Sequence, residues 1–542
     1  MVVAGSVEST DVAARDDAHL RSLGIKPELA RTLGFLSVFA VAFSYISVST
    51  GTFTNQAVAF GVGGPAVFWA WPLVILGQTF VALNFAELAS HFPVAGSIYQ
   101  WSKRLSNKTL GWFTGWIYFW AGVITVTAVA VTVPLVLSTI PQTAFVLSDP
   151  SPVPGLDMQS FIGLVALVTT TVINILGVRL LAIINNIGVA AEILGMLVFA
   201  LILLFFANHQ PPSILFDTSY TANLGNGYLP IFLVGMFMAL FVVYGFDTAG
   251  TFGEETVDAS RQAPRGVLSA IWLSGLVGAI FLLAVTLSFK DVGAAVKSGQ
   301  AFGFPIADTI KGNLTFSFGS FTLGDLYLIV ILIAVYVCTL AIQGATVRLM
   351  FSMGRDGRLP WGRTWGHVNH TFKTPAYASI AVGILAAIPL VVTGAGSAVV
   401  LAIAATGTIY LSYFLCNLGV LAARARGWPH KGAWFSLGAW GTILNILALI
   451  WGGAMIINIG IWTSSTFGDF GSDLRNTWSN PFINTFLKVG GKLLDQLPAI
   501  PVFETFVGVV VIVGAIYYIA SRQTAHDDVV EFDPATGEAL IG

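Results

Sequence analysis

The chain has 542 residues, of which 56% are apolar and only 10% are charged, whereas about a quarter of the residues in a soluble protein carry charge. A soluble core cannot bury so much apolar surface, so the composition indicates a multi-pass membrane protein. The formal net charge of -2 argues against a nucleic-acid partner, because no basic patch is available. Cys338 and Cys416 both lie inside apolar runs and are expected to be free thiols.

Twelve stretches are long and apolar enough to cross a bilayer as helices, which takes about 20 residues each. In chain order they are called span 1 to span 12, and their bounds are 34–60, 66–90, 110–140, 159–178, 184–207, 229–252, 266–289, 323–350, 375–393, 397–422, 433–460 and 500–520. Continuous runs of this kind differ from the short alternating segments of membrane barrels. The sequence therefore predicts an all-α multi-pass membrane protein with 12 transmembrane helices.

The distribution of lysine and arginine predicts that both termini face the cytosol. Nineteen of the 25 basic residues then fall in inward segments, and the other six lie in two outward loops, 290–322 and 461–499. The polar first residues do not have the pattern of a secretory signal. The predicted organisation is a cytosolic N-terminal tail (1–33), a core of ten spans (34–425), spans 11 and 12 with the extracellular loop (433–520), and a cytosolic C-terminal tail (521–542).

Span 6 contains a glycine followed by an acid, in the stretch VVYGFDTAG at 242–250. Gly245 can adopt backbone angles that other residues avoid, and Asp247 is a suitable N-cap for a helix that restarts. One half-helix is therefore predicted to end near Val243–Tyr244, and a second to begin near Asp247. Unwound backbone at that depth is tolerated only where it lines a cavity or is buried in protein, so Asp247 is either a structural cap or a ligand.

Span 1 contains a similar interruption, YISVSTGTFTNQ at 45–56. It places small polar residues in the middle of an apolar helix, namely Ser49, Thr50, Gly51, Thr52 and Thr54. These residues either satisfy an unwound backbone or form a packing face between helices. A polar break at corresponding places in two five-helix halves favours the first reading, because it is typical of inverted-repeat transporters.

Two broken helices that cross provide both polarities without any charged side chain. The N-terminal end of a restarted half-helix carries free N–H groups and a partial positive charge, which suit a carboxylate. The C-terminal end of the preceding half-helix carries free carbonyls, which suit an ammonium group. A zwitterionic guest fits this pattern.

Charge inside a bilayer is costly and usually functional, and here it is scarce. Only Glu87, Glu192 and Asp247 among the acids lie inside spans and away from their predicted outer edges. All seven histidines lie in loops, tails or span ends, so a histidine-based metal site at mid-membrane is not expected. No metal and no cofactor are predicted.

Three acids near the predicted inner ends of spans are candidates for a cytosolic gate. Glu87 is expected at the cytosolic mouth, paired with Lys103 or Arg104. Glu254 and Glu255 lie near Arg261 and Arg265 in sequence. They either join Arg261 in a gate network or belong to a solvated loop.

Four motifs carry a resemblance to a known family: AELASHFPVAGSIYQW (86–101), STGTF (49–53), YGFDTAGTFGEETVDASRQAPRG (244–266) and RLMFSMGRDGRLP (348–360). With them the chain resembles the amino acid/polyamine/organocation permease superfamily, and looks closest to its amino acid and choline transporter-like branch. The resemblance implies a LeuT-type fold of five plus five helices, with repeats at about 34–207 and 229–422 and two further helices. Spans 1 and 6 would be the broken ones.

The resemblance also implies a substrate site at the two breaks. By this likeness, the backbone N–H groups of Thr50, Gly51 and Thr52 would receive a carboxylate, and Phe241 would close over the substrate. Carbonyls of the other break would receive an amine. The full set of predicted substrate-binding residues is Ser49, Thr50, Gly51, Thr52, Phe241, Val242, Val243, Tyr244, Gly245 and Asp247.

Glu192 departs from the family pattern. In several relatives the fifth helix carries a lysine in a context similar to AAEIL (190–194). A glutamate reverses the sign of that charge. It would carry a coupling proton, help to bind a cation, or be a protonated glutamate bonded to a neighbouring carbonyl.

The sequence therefore predicts a secondary active transporter and not an enzyme. It would import an amino acid or a related small amino compound such as 4-aminobutyrate across the plasma membrane, or across the inner membrane of a bacterium. Transport would be proton-coupled, through Glu192, and would proceed by alternating access. A choline or organic-cation transporter and an amino acid exchanger of the same fold are the alternatives. The expected partners are the small substrate, the proton and the lipid bilayer.

Overall fold

The computed structural model describes residues 2–221, 227–394, 397–429, 433–464, 501–521, 531–532 and 539–540. Eleven helices within these residues are long and apolar enough to cross a membrane, and the shorter apolar helix Tyr228–Val242 lies in span 6. The prediction of an all-α multi-pass protein is confirmed. Most of the predicted extracellular loop, 465–500, lies outside the described residues, as does most of the predicted C-terminal tail.

Every predicted span coincides with helical structure. The first half of the chain has Phe35–Ile46 and Val48–Gly63 in span 1, Ala70–His91 in span 2, Lys108–Ala130 and Thr132–Thr139 in span 3, Met158–Leu176 in span 4 and Val178–Phe206 in span 5. The second half has Tyr228–Gly235, Phe237–Val242 and Thr248–Thr251 in span 6, then Ala259–Leu287, Leu323–Arg355, Ala376–Thr393, Ala398–Ala425, Gly441–Ile457 and Val502–Ser521 in spans 7 to 12.

Shorter elements connect the spans. The helices among them are Val2–Ser22, Ser97–Leu105, Val292–Gln300, Pro305–Asn313 and Gly362–Trp365. Two small antiparallel hairpins pair Ser317–Phe318 with Phe321–Thr322, and Glu531–Phe532 with Ala539–Leu540.

Local sequence signals fix several helix starts. Asn107 accepts a hydrogen bond from the backbone N–H of Leu110 at 2.8 Å, and so caps the helix of span 3. The helix of span 8 begins with a capping box, in which Thr322 and Asp325 bond to each other's backbone N–H. These caps satisfy donors that have no partner inside their own helix.

Burial separates the spans into an inner and an outer group. Spans 1, 3 and 10 are mostly buried, whereas at most a third of the residues in spans 4, 5, 9, 11 and 12 are buried. These five spans present large apolar side chains such as Ile187, Ile384 and Ile516 outward. An apolar exterior around a buried interior is what a bilayer requires.

One end of the molecule, called the basic end below, carries the loops rich in lysine and arginine at 103–108, 355–373 and 424–426. The charge distribution predicts this end to be cytosolic. The opposite end is called the far end.

The N-terminal segment packs against the basic end rather than extending from it. Its helix Val2–Ser22 is followed by a strand-like stretch in which Thr32 and Leu33 donate backbone hydrogen bonds to the Glu255 carbonyl, both at 2.9 Å. Leu20 and Leu23 are buried. These apolar side chains explain why a segment that is polar overall does not stay apart from the bundle.

Candidate substrate site and its closures

Span 1 is broken at Ser47, four residues before the predicted glycine. Ser47 has φ 33° and ψ 89°, a left-handed conformation between the two helices of the span. Its hydroxyl contacts the Thr50 hydroxyl at 2.7 Å. The predicted break is confirmed, but its position is corrected from Gly51 to Ser47. The left-handed conformation, which is predicted for a glycine, is adopted by a serine whose hydroxyl bonds locally.

Gly51 belongs to the second helix of span 1, and its backbone N–H donates to the Ser47 carbonyl at 3.1 Å. Thr52 follows it inside the same helix. Their N–H groups are therefore used by the helix and are not free for a carboxylate, which corrects the predicted donor set. Gly51 has another use: a Cβ there would lie 2.4 Å from Cγ2 of Val242. The missing side chain lets spans 1 and 6 touch at their breaks.

Glu192 binds the N-terminal turn of this second helix. Its Oε1 accepts hydrogen bonds from the backbone N–H of Ser49 and the hydroxyl of Ser47, each at 3.0 Å. Its Oε2 is buried and has no partner among the described residues. An internal carboxylate thus occupies the kind of helix N-terminus at which the substrate carboxylate was expected.

The break in span 6 lies where the sequence predicts it. The helix Phe237–Val242 ends three residues before Gly245, which has φ +87°, and the next helix begins at Thr248 directly after Asp247. A Cβ on Gly245 would lie 1.9 Å from Cδ1 of Tyr45. Only glycine satisfies both the backbone angle and the close approach.

The backbone groups of this break are partly engaged. The Val242 carbonyl accepts from the Tyr244 N–H at 3.0 Å, and the Val243 carbonyl accepts from Gln78 Nε2 at 2.9 Å. No donor contacts the Tyr244 carbonyl within the described part of the chain. Of the three carbonyls predicted to receive an amine, Tyr244 is therefore the one left available.

Asp247 does not cap the restarted helix with its side chain. It has helical backbone angles and makes no side-chain cap bond. Its carboxylate instead accepts from the hydroxyls of Ser97, Tyr118 and Tyr413, at 2.9, 2.9 and 2.5 Å. The cap interpretation is wrong because the carboxylate is held by these three hydroxyls instead of by the N–H groups of its own helix.

Tyr413 links this carboxylate to the break itself. Its hydroxyl accepts a hydrogen bond from the Gly245 N–H at 2.8 Å while it donates to Asp247. Ser97, Tyr118 and Tyr413 come from three different parts of the chain. Sequence reasoning missed them because nothing in their local patterns indicates a partner more than a hundred residues away.

Two buried ion pairs close the site towards the basic end. Arg348 binds Glu255 through Nε and Nη2, at 2.5 and 2.8 Å, and Arg355 binds Glu254 at 2.9 Å through both Nη atoms. Glu254 and Glu255 are at most 3% exposed, which excludes the solvated-loop interpretation. Bidentate arginine pairs of this kind are among the stronger polar contacts in proteins.

The partners in this closure differ from those suggested by sequence proximity. Arg261 is exposed and lies over the ring of Trp434 at 5.7 Å, so it is not part of the network. The arginines come from span 8 because that helix passes the inner end of span 6, whereas the helical turn beginning at 259 carries Arg261 away from the acids.

Glu87 pairs with the end of span 10. Its Oε2 accepts from Arg424 at 2.5 Å, and its Oε1 accepts from the backbone N–H of Leu437 at 2.9 Å. The predicted partners, Lys103 and Arg104, instead bond to Asp356 and to the Leu23 carbonyl. Glu87 therefore lies at the basic end as predicted, but with a different cation.

The Lys103–Asp356 pair lies just outside the spans, with Nζ and Oδ2 2.7 Å apart. Burial raises the pKa of Asp356, but Lys103 and Arg355 outweigh it and hold that pKa below the usual 3.8. Burial lowers the pKa of Lys103 below its usual value, although Asp356 opposes this. The pair adds a further polar tie between spans 2, 3 and 8 at the basic end.

The far end is closed by the connection between spans 7 and 8. The ring of Phe304 stacks on Phe53 with centroids 5.3 Å apart, and Ile306 donates its backbone N–H to Gln56 Oε1 at 2.5 Å. The predicted site residues in both breaks are buried, and Phe241, at 4%, is the most exposed aromatic residue among them. Both routes to the site are therefore shut in this conformation.

Residues 33–491 match the family described as "Amino acid permease". The chain is 30% identical to the amino-acid permease BAT1 homolog of Oryza sativa subsp. japonica over 448 residues, which are 80% of this chain and 85% of that protein. It is 28% identical to amino-acid permease BAT1 of Arabidopsis thaliana, over 83% of this chain and 89% of that one. It is 26% identical to the low-affinity putrescine importer PlaP of Escherichia coli (strain K12), over 66% of this chain and 74% of that one.

Proposed function

The chain belongs to the amino acid permease family, and we propose that it is a proton-coupled importer of an amino acid or a related small amino compound such as 4-aminobutyrate. It is a permease and not an enzyme. The proposed setting is the plasma membrane, or the inner membrane of a bacterium, with both termini cytosolic. The basic end then faces the cytosol.

Alternating access is supported by the two closures. Phe304 and the far-end connection cover the breaks on one side, and the Glu254 and Glu255 ion pairs cover them on the other. Since the break residues are buried between these layers, a substrate reaches them only when one closure opens. Polar ion pairs on one side and aromatic stacking on the other give the two closures different chemistry, so one can open without the other.

The observation that carries the proposal is the contact of Glu192 Oε1 with the Ser49 N–H. A charged Glu192 and a substrate carboxylate would compete for that donor, and two carboxylates at one site repel each other. When Glu192 takes up a proton, the repulsion ends and the substrate carboxylate can take the helix N-terminus. Proton and substrate would thus enter together, which is the requirement for symport.

The opposite end of the substrate has a place at the other break. The Tyr244 carbonyl is available to an ammonium group, and the rings of Tyr45 and Phe241 lie 6.2 and 5.8 Å from the Tyr244 ring. Carbonyl oxygens and aromatic faces both favour a cation. A zwitterion therefore has its carboxylate towards span 1 and its amine towards span 6.

The proposal is tested with purified protein in proteoliposomes. Glu192→Gln keeps a side-chain oxygen for the Ser49 N–H but holds no exchangeable charge. We expect this variant to exchange labelled substrate for unlabelled substrate while losing concentrative uptake driven by an inward proton gradient. Asp149→Asn makes the same chemical change at an exposed residue between spans 3 and 4 and is expected to behave like the unmodified protein. Concentrative uptake by Glu192→Gln at the unmodified level would disprove coupling through Glu192.

An organic-cation transporter is the second candidate. The two buried carboxylates near the breaks, Glu192 and Asp247, favour a cation, and one relative is named as a putrescine importer. Such a substrate has no carboxylate and would leave Glu192 on Ser49, so its uptake would not require a proton on Glu192. Competition by neutral amino acids, 4-aminobutyrate, choline and putrescine against one labelled substrate separates the candidates. If the protein only exchanges, with or without a pH gradient, it is the exchanger that the sequence left open.

A further inference from the structure

A groove with a volume of 620 Å³ lies on the outer surface of the molecule, away from the two breaks. Its walls come from span 3, span 8, span 9 and the connection between spans 8 and 9. The residues that line it include Trp116, Trp120, Trp361, Trp365, Tyr377 and Ile384. None of them belongs to the proposed transport site.

The apolar wall of the groove runs along the first part of span 9. From Tyr377 to Leu385 this wall extends about 12 Å, at 1.5 Å per residue. Half of a hydrocarbon core is about 15 Å thick, so the groove has the depth of one leaflet. Ile380 and Ile384 are 45% and 58% exposed beside it, which places the opening of the groove on the lipid-facing surface.

The mouth of the groove has the side chains typical of a membrane interface. Trp361 is 77% exposed and has a left-handed backbone with φ 53°, which is costly for a tryptophan. Trp365 next to it donates its indole N–H to the Pro360 carbonyl at 2.6 Å. Tryptophan and tyrosine are enriched where hydrocarbon meets the headgroup layer.

Three cationic residues lie within four positions of residues that line the groove. Arg358 is half-buried, and Arg363 and Lys373 are exposed. Within the described ranges none of the three forms an ion pair with an acid, since Asp356, the acid closest to them in sequence, binds Lys103. Unpaired cations beside an apolar slot of leaflet depth are complementary to an anionic headgroup with its acyl chain attached.

We propose that this groove binds an anionic glycerophospholipid of the leaflet at the basic end. An acyl chain would fill the slot between spans 3 and 9, and the phosphate would lie at Arg363 and Lys373. A water-soluble partner would have to place an apolar segment inside the hydrocarbon layer to reach Ile384. A second copy of this chain would bring the same three cations against each other.

The site has a physical connection to the closure of the transport path. Met350 lines the groove and lies on the span 8 helix between Arg348 and Arg355, which hold Glu255 and Glu254. A bound lipid would therefore stabilise the helix that carries both arginines. Ligands that bind only the folded state raise its stability.

The test uses the full-length protein in nanodiscs of phosphatidylcholine, with or without phosphatidylglycerol. Native mass spectrometry after transfer to detergent counts the retained phospholipid, and thermal unfolding measures its effect. We expect one phosphatidylglycerol to be retained per protein, together with a rise in the unfolding midpoint. The double variant Arg363→Ala/Lys373→Ala is expected to lose both the retention and the rise.

Two further variants make the result decisive. Ile384→Trp narrows the slot while leaving every cation in place, and it is expected to lose the retained lipid. Lys26→Ala removes an exposed cation remote in sequence from the groove residues and is expected to change nothing. Equal retention of phosphatidylcholine, retention that survives both groove variants, or a dimer that Ile384→Trp dissociates would each overturn the proposal. These readouts do not involve transport, so they are independent of the proposed symport.

Discussion

Glu192 and Asp247 are both fully buried carboxylates next to a broken helix, yet they are held in different ways. Glu192 has two donors on one oxygen, and its other oxygen has no partner among the described residues. Asp247 receives contacts from three hydroxyls that cover both oxygens. Neither forms an ion pair within the described part of the chain.

The difference in their hydrogen bonds suits the two carboxylates to different purposes. A carboxylate with all of its acceptor sites filled stabilises the surrounding helices and loses much if any contact is broken. A buried carboxylate with an unbonded oxygen has a larger desolvation penalty in its charged form and fewer stabilising hydrogen bonds. Protonation or a change of partner therefore requires less free energy. We therefore propose that Asp247 contributes to stability and Glu192 to coupling.

The largest expected effect is a difference in the free energy of unfolding between variants of Asp247 and Glu192. Asp247→Ala leaves the hydroxyls of Ser97, Tyr118 and Tyr413 without their acceptor and should cost about 3 kcal/mol, at about 1 kcal/mol for each buried group. Glu192→Ala removes one acceptor from two donors and also removes an unsatisfied oxygen, so we expect a loss of about 1 kcal/mol or less.

Thermal unfolding of both variants in one detergent checks this order. Tyr118→Phe, which removes a single donor and keeps the ring, should fall between Asp247→Ala and the unmodified protein. If Glu192→Ala proved as destabilising as Asp247→Ala, the two carboxylates would have the same structural role. The comparison would then have to be abandoned.

Sequence alone predicts the features that depend on residues close together in the chain. The twelve spans follow from runs of apolar residues, and the break in span 6 follows from Gly245 because its backbone angle and its contact with Tyr45 both demand glycine. The break in span 1 was expected at Gly51 and lies at Ser47. Serine is seldom left-handed, so no local rule favours that position.

The sequence does not predict which cation pairs with each buried acid. Glu87 is predicted to pair with Lys103 or Arg104, but it binds Arg424, 337 residues away. Glu254 is near Arg261 in sequence, which favours either a network with Arg261 or a solvated loop, but Arg355 binds it. Which cation reaches a buried acid depends on how helices pack, and local patterns carry no information about that. Whether the two halves superpose as an inverted repeat stays a prediction.

A smaller effect is expected from Ser47, whose hydroxyl donates a hydrogen bond to Glu192. Ser47→Gly removes the hydroxyl that donates to Glu192 but adopts the left-handed backbone without strain. Ser47→Ala removes the same hydroxyl and keeps the strain, so it should be less stable than Ser47→Gly by about 1 kcal/mol. Unfolding midpoints measure this difference.

The matched control is Ser44→Ala, one helical turn earlier. Its hydroxyl has no partner in the described structure, so we expect stability to stay the same or to rise. If Ser47→Ala and Ser47→Gly unfolded together, the left-handed backbone at Ser47 would not be a source of strain. The break would then be set by the neighbouring helices alone.

The smallest effect comes from Asp356, a partly buried carboxylate at the basic end, which differs from Glu192 and Asp247 because it has charged partners. Burial raises its pKa, and Lys103 and Arg355 lower it by more, to a folded-state value below 3.8. A depressed folded-state pKa contributes stability above the unfolded value, and that stability is lost as the pH falls through the folded one. Asp356→Asn should therefore cost about 0.5 kcal/mol near neutral pH, and the cost should shrink as the pH falls below 3.8. Unfolding midpoints of both proteins across this range measure the difference. A cost that stayed constant with pH would mean that hydrogen bonds from Tyr99 and Gln100 hold Asp356 and that its charge contributes nothing, which would place Asp356 with Asp247.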